Sequence, residues 1–215
     1  MSQEKKSNFW VILFGAVIMP TLLLVSLFYP DFTQENVLIE LNQIAVLSGQ
    51  DEATEIYLDV SETSEKWLVK SGFIDWLREV LLPKEYRELE LVKDEKVFTT
   101  QFWNNVDKAI LGLQLNVEFT LLRIYGIKVW LAVLIVFTTA SAVSGYFMRE
   151  IKKYGFEYSS PMRHGIGRKV IYTLPFSASF YLLAPIALPV YFVPISIFIY
   201  SFSIMTIMAN TIKRV

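Results

Sequence analysis

The chain has 215 residues, of which 53% are hydrophobic and 19% are charged, with a mean hydropathy of +0.41 and a formal net charge of −1 at pH 7. This composition is too apolar for an ordinary soluble domain and, at 15% aromatic residues, too aromatic for a disordered chain. The absence of cysteine excludes disulfide scaffolds and thiol nucleophiles, and the single histidine, His164, excludes a histidine-rich metal cluster.

The first predicted element is a membrane span over residues 9–29, which follows a tail (1–8) that carries Lys5 and Lys6. The run contains no charge, and a bilayer core of about 30 Å needs roughly 20 apolar residues in a helix. A signal peptide would share these features. No small-residue cleavage pattern follows, so we favour an uncleaved anchor. Pro20 is expected to kink this helix.

A helical domain is predicted over residues 30–126. Apolar residues recur at helical spacing in three stretches, and the first stretch begins with the capping residues Asp31 and Thr33. The three helices are expected to end at Gly49, Gly72 and Pro83. We interpret the domain's large aromatic residues as core or interface residues; these are Trp67, Phe73, Trp76, Phe102 and Trp103.

A long helix is predicted to connect this domain to the second span, at residues 127–147. It is expected to run from about Lys93 to about Lys153, with Gly112 and Gly126 as weak points. The small residues that lead up to Gly145 favour close helix packing within the span.

The last apolar block, Val170 to Ala209, is about 40 residues long, which is twice the length of one crossing. We therefore expect a helical hairpin with spans at 171–188 and 191–209, and with its turn among Pro185, Pro189 and Pro194. A re-entrant hairpin is the alternative.

The distribution of charge predicts the orientation of the chain. Lysine and arginine are concentrated in the two tails, 1–8 and 210–215, and in the loop 148–170, which marks these segments as cytoplasmic. Residues 30–126 contain 18 acidic and 9 basic residues, a net charge of −9, as expected outside the cell membrane. The predicted fold class is therefore all-α, a polytopic membrane protein with four transmembrane helices and a helical extracytoplasmic domain between the first and second.

No catalytic, phosphate-binding, dinucleotide-binding or zinc-protease motif occurs, so we expect no enzyme activity, cofactor or metal. The basic loop is the candidate site. It is expected either to contact anionic lipid headgroups or to dock a protein partner. The candidate docking residues are Arg149, Lys152, Lys153, Glu157, Ser159, Arg163, His164, Arg168 and Lys169.

The same region carries a recognisable order of residues. A basic pair is followed by Gly155, Glu157, Ser159-Ser160, His164 and Arg168-Lys169, and then by the hairpin YLLAPIALPVYFVP and the basic end TIKRV. Residues 145–215 thus resemble the integrating conjugative element membrane proteins, a family of unknown function. The resemblance implies an inner-membrane accessory of a conjugative type IV secretion system, with its basic loop facing conjugation-machinery proteins such as the coupling ATPase.

Two other functions stay open. The chain could be an exclusion-type or sensor-type membrane protein that recognises a neighbouring cell, or a small transporter. Membrane lipid and further copies of the chain are additional expected partners. Direct nucleic-acid binding is not expected, because lipid headgroups attract the same basic residues.

Overall fold

A computed structural model describes residues 14–84, 86, 97–155 and 160–211. These residues are helical or lie in short connections, and they contain no strand, so the all-α class is confirmed. The chain divides into two compact units. Unit 1 comprises Met1–Tyr125 with Leu182–Leu188, and unit 2 comprises Gly126–Tyr181 with Pro189–Val215.

The helices are numbered in chain order. They are α1 (Met19–Phe28), α2 (Pro30–Ser48), α3 (Gln50–Ser64), α4 (Phe73–Leu81), α5 (Val97–Tyr154), α6 (Pro161–Leu183) and α7 (Phe192–Ala209). A π-helical segment, Phe14–Ile18, leads into α1, and another, Glu65–Val69, follows α3.

The ends of the first helices are explained by proline and glycine. Pro20 lies in the first turn of α1, directly after the π-helical segment. The kink predicted at this proline therefore takes the form of a widened helical turn. Helix α2 begins at Pro30, whose missing N–H costs nothing in a first turn. The prediction that Asp31 and Thr33 cap α2 was wrong. The breaks at Gly49 and Gly72 are confirmed, and both glycines have positive φ angles.

Unit 1 has two hydrophobic clusters. One joins Ile56 and Val60 of α3 to α5 residues around Phe119, and the other joins Leu68, Ile74, Leu82 and Ile110. The interpretation of the aromatic residues as core was wrong for Trp67, Phe73, Trp76 and Phe102, which are exposed; their role at an interface stays a prediction. Only Trp103 of the five packs, half-buried, against the second cluster.

The long helix α5 confirms the predicted continuous helix over its described part; the predicted start, residues 93–96, lies outside the described residues. Helix α5 passes through Gly112 and Gly126 without a break, and their role as weak points stays a prediction. Gly112 also permits close contact. A Cβ built on it would lie 2.6 Å from the carbonyl oxygen of Leu27 and 2.8 Å from its Cα.

Two described helices are long and apolar enough to cross a membrane, and they are Gln101–Tyr154 within α5 and Phe192–Ala209, which is α7. The prediction of four spans is thus not confirmed. Helix α6 begins at Pro161, so most of the segment predicted as a loop is helical. It ends at Leu183, so the last residues of the predicted third span, 184–188, are not helical.

Glycines also set the packing within unit 2. A Cβ on Gly145 of α5 would lie 2.7 Å from the Met205 carbonyl oxygen, which confirms the close approach predicted there. A Cβ on Gly167 of α6 would lie 3.0 Å from the Ser203 carbonyl oxygen of α7. From these contacts and those of Asn210, this part of α5 runs parallel to α7, whereas α6 runs antiparallel to it.

Candidate functional site

The predicted docking residues are divided between two helices of unit 2. Arg149, Lys152 and Lys153 lie in the last turns of α5. Arg163, His164, Arg168 and Lys169 lie in the first turns of α6. The other two, Glu157 and Ser159, lie outside the described residues.

Helix α6 begins in this region because of a local signal. The Ser160 hydroxyl accepts a hydrogen bond from the Arg163 N–H at 3.4 Å, and Pro161 occupies the first helical position. Serine at the N-cap followed by proline is a strong helix start. The basic residues that follow are therefore held on a helix.

The Lys152 side chain forms hydrogen bonds within unit 2. Its Nζ donates to Asn210 Oδ1 at 2.9 Å and to the Ala209 carbonyl oxygen at 3.4 Å, at the end of α7. The Ser160 N–H donates to the same Asn210 oxygen at 3.2 Å. Asn210 is buried and thus joins the ends of α5, α6 and α7. A cation at the carboxyl end of a helix is also electrostatically favourable.

The remaining basic residues form a surface. Lys153 pairs with Glu150 on its own helix, and the Arg168 guanidinium donates to the Tyr172 hydroxyl at 3.1 and 3.3 Å. Arg163, Arg168 and Lys169 are exposed. At 100° per residue, Arg163 and Arg168 point about 140° apart around α6, so they do not converge on one small ligand.

The most constrained polar site is in unit 1 and was missed from the sequence. Arg123 of α5 and Glu40 of α2 form an ion pair whose side chains are 0% and 5% exposed. Arg123 Nη2 lies 2.8 Å, and Nε 3.0 Å, from the two Glu40 carboxylate oxygens. The guanidinium also stacks on the Phe119 ring, 4.0 Å from its centroid.

This pair holds the segment Ala184–Leu188, which we call the strap. Arg123 donates to the carbonyl oxygens of Ala184 and Ile186, both at 2.7 Å. The Ala187 N–H donates to Asn36 Oδ1 at 2.8 Å, and the Leu188 N–H donates to Glu40 Oε2 at 3.3 Å. We call Arg123, Glu40 and Asn36 the strap-binding cluster.

A signal for this cluster was present in the sequence. Arg123 is a lone charge in the apolar stretch FTLLRIYG, and Glu40 is a lone charge in VLIELNQIAVL. Two isolated charges of opposite sign on apolar helix faces favour a buried pair, because an unpaired buried charge is strongly disfavoured. The pairing of Arg123 with Glu40 was not predicted because the two residues are 83 positions apart in the chain.

The described residues contain no group of three or more histidine, aspartate or glutamate side chains arranged to hold a metal ion. Arg123, Glu40 and Asn36 bind peptide carbonyl and N–H groups, so this geometry binds the main chain of a non-helical segment. The exposed face of α6 presents separated positive charges.

Residues 33–213 match the family model described as IncC plasmid conjugative DNA transfer protein DtrJ-like. The match includes the strap-binding cluster, the strap and all nine predicted docking residues. It agrees with the conjugative context expected from the sequence, and it does not extend to the integrating conjugative element family. No curated protein and no solved structure matches the chain. The chain belongs to the DtrJ-like family of plasmid conjugative DNA transfer proteins.

Proposed function

We propose that this protein is an inner-membrane accessory subunit of a conjugative DNA-transfer apparatus of the type IV secretion kind, and that it acts by docking other proteins. The observation that carries the proposal is the family match over residues 33–213. The resemblance to integrating conjugative element membrane proteins is a narrower proposal that agrees with it.

Membrane insertion is supported by what α5 and α7 expose. In each helix only 22% of the most apolar window is buried within the protein, whereas the core helix of a soluble protein would be mostly covered. Large apolar side chains such as Ile135, Phe198 and Phe202 are more than half exposed. In a bilayer this apolar surface would contact lipid acyl chains, so its exposure would not carry the free-energy cost that it has in water.

The four-span topology, with both termini in the cytoplasm, is supported by helix directions. The carboxyl-terminal part of α5 is parallel to α7 and antiparallel to α6, as successive crossings require. The strap joins α6 to α7 and is bound by residues of the acidic unit 1. The basic residues gather at the opposite ends of these helices, where the positive-inside rule predicts the cytoplasm.

This topology can be tested by labelling single cysteines, since the chain contains none. We expect a membrane-impermeant maleimide to label Glu52→Cys in intact spheroplasts, because Glu52 is exposed in unit 1. Met162→Cys, at a residue that is 75% exposed, should be labelled only after permeabilisation. Labelling of Met162→Cys in intact spheroplasts, or shielding of Glu52→Cys, would contradict the proposed orientation.

The docking surface is proposed to be the exposed face of α6 around Arg163 and Lys169, and its first candidate partner is the coupling ATPase. Lys152 is left out of this surface because Asn210 and Ala209 bind it. Lipid headgroups and further copies of the chain are the other candidate partners. A photocrosslinker at Met162 would distinguish them, because it captures a defined protein if docking is right and only lipid if it is wrong.

Loss of docking should be measurable as loss of transfer. We expect Arg163→Glu/Lys169→Glu to lower donor transfer frequency by about tenfold or more, since tenfold corresponds to about 1.4 kcal/mol of binding. The matched control, Lys66→Glu/Lys108→Glu, makes the same change in net charge at exposed residues of unit 1 and should transfer normally. Protein levels are compared by immunoblot.

A deletion separates the proposal from its alternative. If the protein is part of the transfer machinery, its deletion in the donor abolishes transfer, and deletion in the recipient has no effect. If the deletion matters only in the recipient, the protein is an exclusion-type or sensor-type protein and the proposal is wrong.

A further inference from the structure

The strap is unusual in how it is held. Its main chain makes the polar contacts, through two carbonyl groups bound by Arg123 and two N–H groups bound by Asn36 and Glu40. The Ala184 and Pro185 side chains are buried beside these contacts. The side chain of Ile186, at its centre, is 44% exposed. The Thr120 hydroxyl adds a further bond to the Leu182 carbonyl oxygen at 3.1 Å.

The hydrogen bonds between the strap and the strap-binding cluster can form and break reversibly. Pro185 and Pro189 have no N–H groups to donate, and residues 184–188 have no regular secondary structure. Each strap carbonyl and N–H that leaves the cluster can form a hydrogen bond with water instead, which offsets part of the cost of exposing the Ala184 and Pro185 side chains.

The ion pair itself argues against a purely static role. A well-packed pair of apolar side chains often stabilises a protein as much as a buried ion pair does. Buried charges are best attested where they specify one arrangement among several or operate a switch. Arg123 and Glu40 bond directly to each other, so we expect their charges to stay paired when the strap is released.

Release of the strap would affect the connection between α6 and α7, because the strap lies within that connection. Residues 182–188 belong to unit 1, whereas the helical residues before and after them belong to unit 2. The strap therefore lies within the connection between α6 and α7 while it is held by residues of α2 and α5.

We propose that the strap is a releasable latch: the strap-binding cluster holds Ala184–Leu188 in a resting state, and its release frees the connection between α6 and α7 during DNA transfer. The transfer assay of this proposal rests on the proposed function, whereas the exchange measurement described below does not.

A reversible crosslink tests whether release is needed. In Asn36→Cys/Ala187→Cys, a disulfide or a short bis-methanethiosulfonate bridge ties the strap to α2 where the Ala187 backbone nitrogen lies 2.8 Å from Asn36 Oδ1 in the native protein. We expect the bridged protein to lower donor transfer by at least about tenfold relative to the same double variant kept reduced, which lacks the Asn36 contact in both forms. Full transfer by the bridged protein would overturn the proposal.

A control pair places a bridge elsewhere in unit 1. Ser26→Cys/Thr33→Cys replaces two buried hydroxyls that lie 3.4 Å apart and does not touch the strap. Its bridged form should transfer normally; an equal loss would show that any bridge in unit 1 is harmful and would overturn a strap-specific effect. If deletion of the whole gene leaves transfer unchanged, the proposed function has failed instead.

Hydrogen exchange provides a readout that does not depend on conjugation. In the purified full chain in detergent, a releasable strap should exchange the amide hydrogens of Ala187 and Leu188 at least about tenfold faster than those of Phe119 and Leu122 in the core. Equal protection of strap and core amides would mean that the strap opens only when unit 1 unfolds, and would overturn the proposal.

Discussion

Replacement of Arg123 by methionine is expected to destabilise the protein by about 3–5 kcal/mol, because it leaves the Glu40 carboxylate buried without its cation. The change also removes the donors for the Ala184 and Ile186 carbonyl groups. The free energy of unfolding of the purified chain in mild detergent, followed by denaturant titration or by the shift in Tm, measures the loss.

An exposed ion pair in the same unit is the matched control. Lys70 and Glu65 lie 3.3 Å apart with side chains 61% and 54% exposed, so Lys70→Met should cost less than about 1 kcal/mol. The double variant Arg123→Met/Glu40→Leu should recover part of the stability, since it removes the unpaired charge but not the unsatisfied strap groups. If Arg123→Met is as mild as Lys70→Met, the buried pair is not formed.

Gly112→Ala is expected to destabilise unit 1 by about 1–3 kcal/mol through overpacking. A methyl group at this position would meet the Leu27 carbonyl oxygen at 2.6 Å and the Leu27 Cα at 2.8 Å, and backbone atoms cannot rotate away as a side chain can. The effect runs against helix propensity, because alanine is normally favoured over glycine within a helix by about 1 kcal/mol.

Gly165 and Gly167 provide the comparison on one helix. Gly165 has nothing within 4 Å of a built Cβ, so Gly165→Ala should be neutral or stabilising by up to about 1 kcal/mol. The change in stability caused by Gly167→Ala should lie between those caused by Gly112→Ala and Gly165→Ala, because the nearest contact of the new methyl group, the Ile207 side chain at 2.9 Å, is able to move. Thermal unfolding of the three variants should give this order, and a destabilised Gly165→Ala variant would contradict it.

The parts of the fold that were predicted correctly depend on short stretches of sequence. The breaks at Gly49 and Gly72 were found because glycine readily adopts the positive φ angles that both residues have. The continuity of α5 was found because no proline interrupts it. The beginning of α6 was missed although its signal, Ser160 followed by Pro161, is equally local.

The site was predicted less well because its chemistry depends on partners. Lys152 looks the same in the sequence as Lys153, yet Asn210, 58 residues away, binds only the former. The conjugative context was anticipated from the order of residues in the basic region and hairpin, and the family match agrees with it. The pairing of Arg123 with Glu40, 83 residues apart, was not anticipated.

The helical, strongly apolar character of the chain, the interruptions of its helices and the division of its charge can be predicted from the sequence, because periodicity, glycine, proline and charge act within a few residues. The three-dimensional structure was needed to show which charges are buried together, which glycines allow backbones to touch, and that 184–188 is a bound strap. These features depend on distances between residues far apart in the chain, and local composition does not encode such distances.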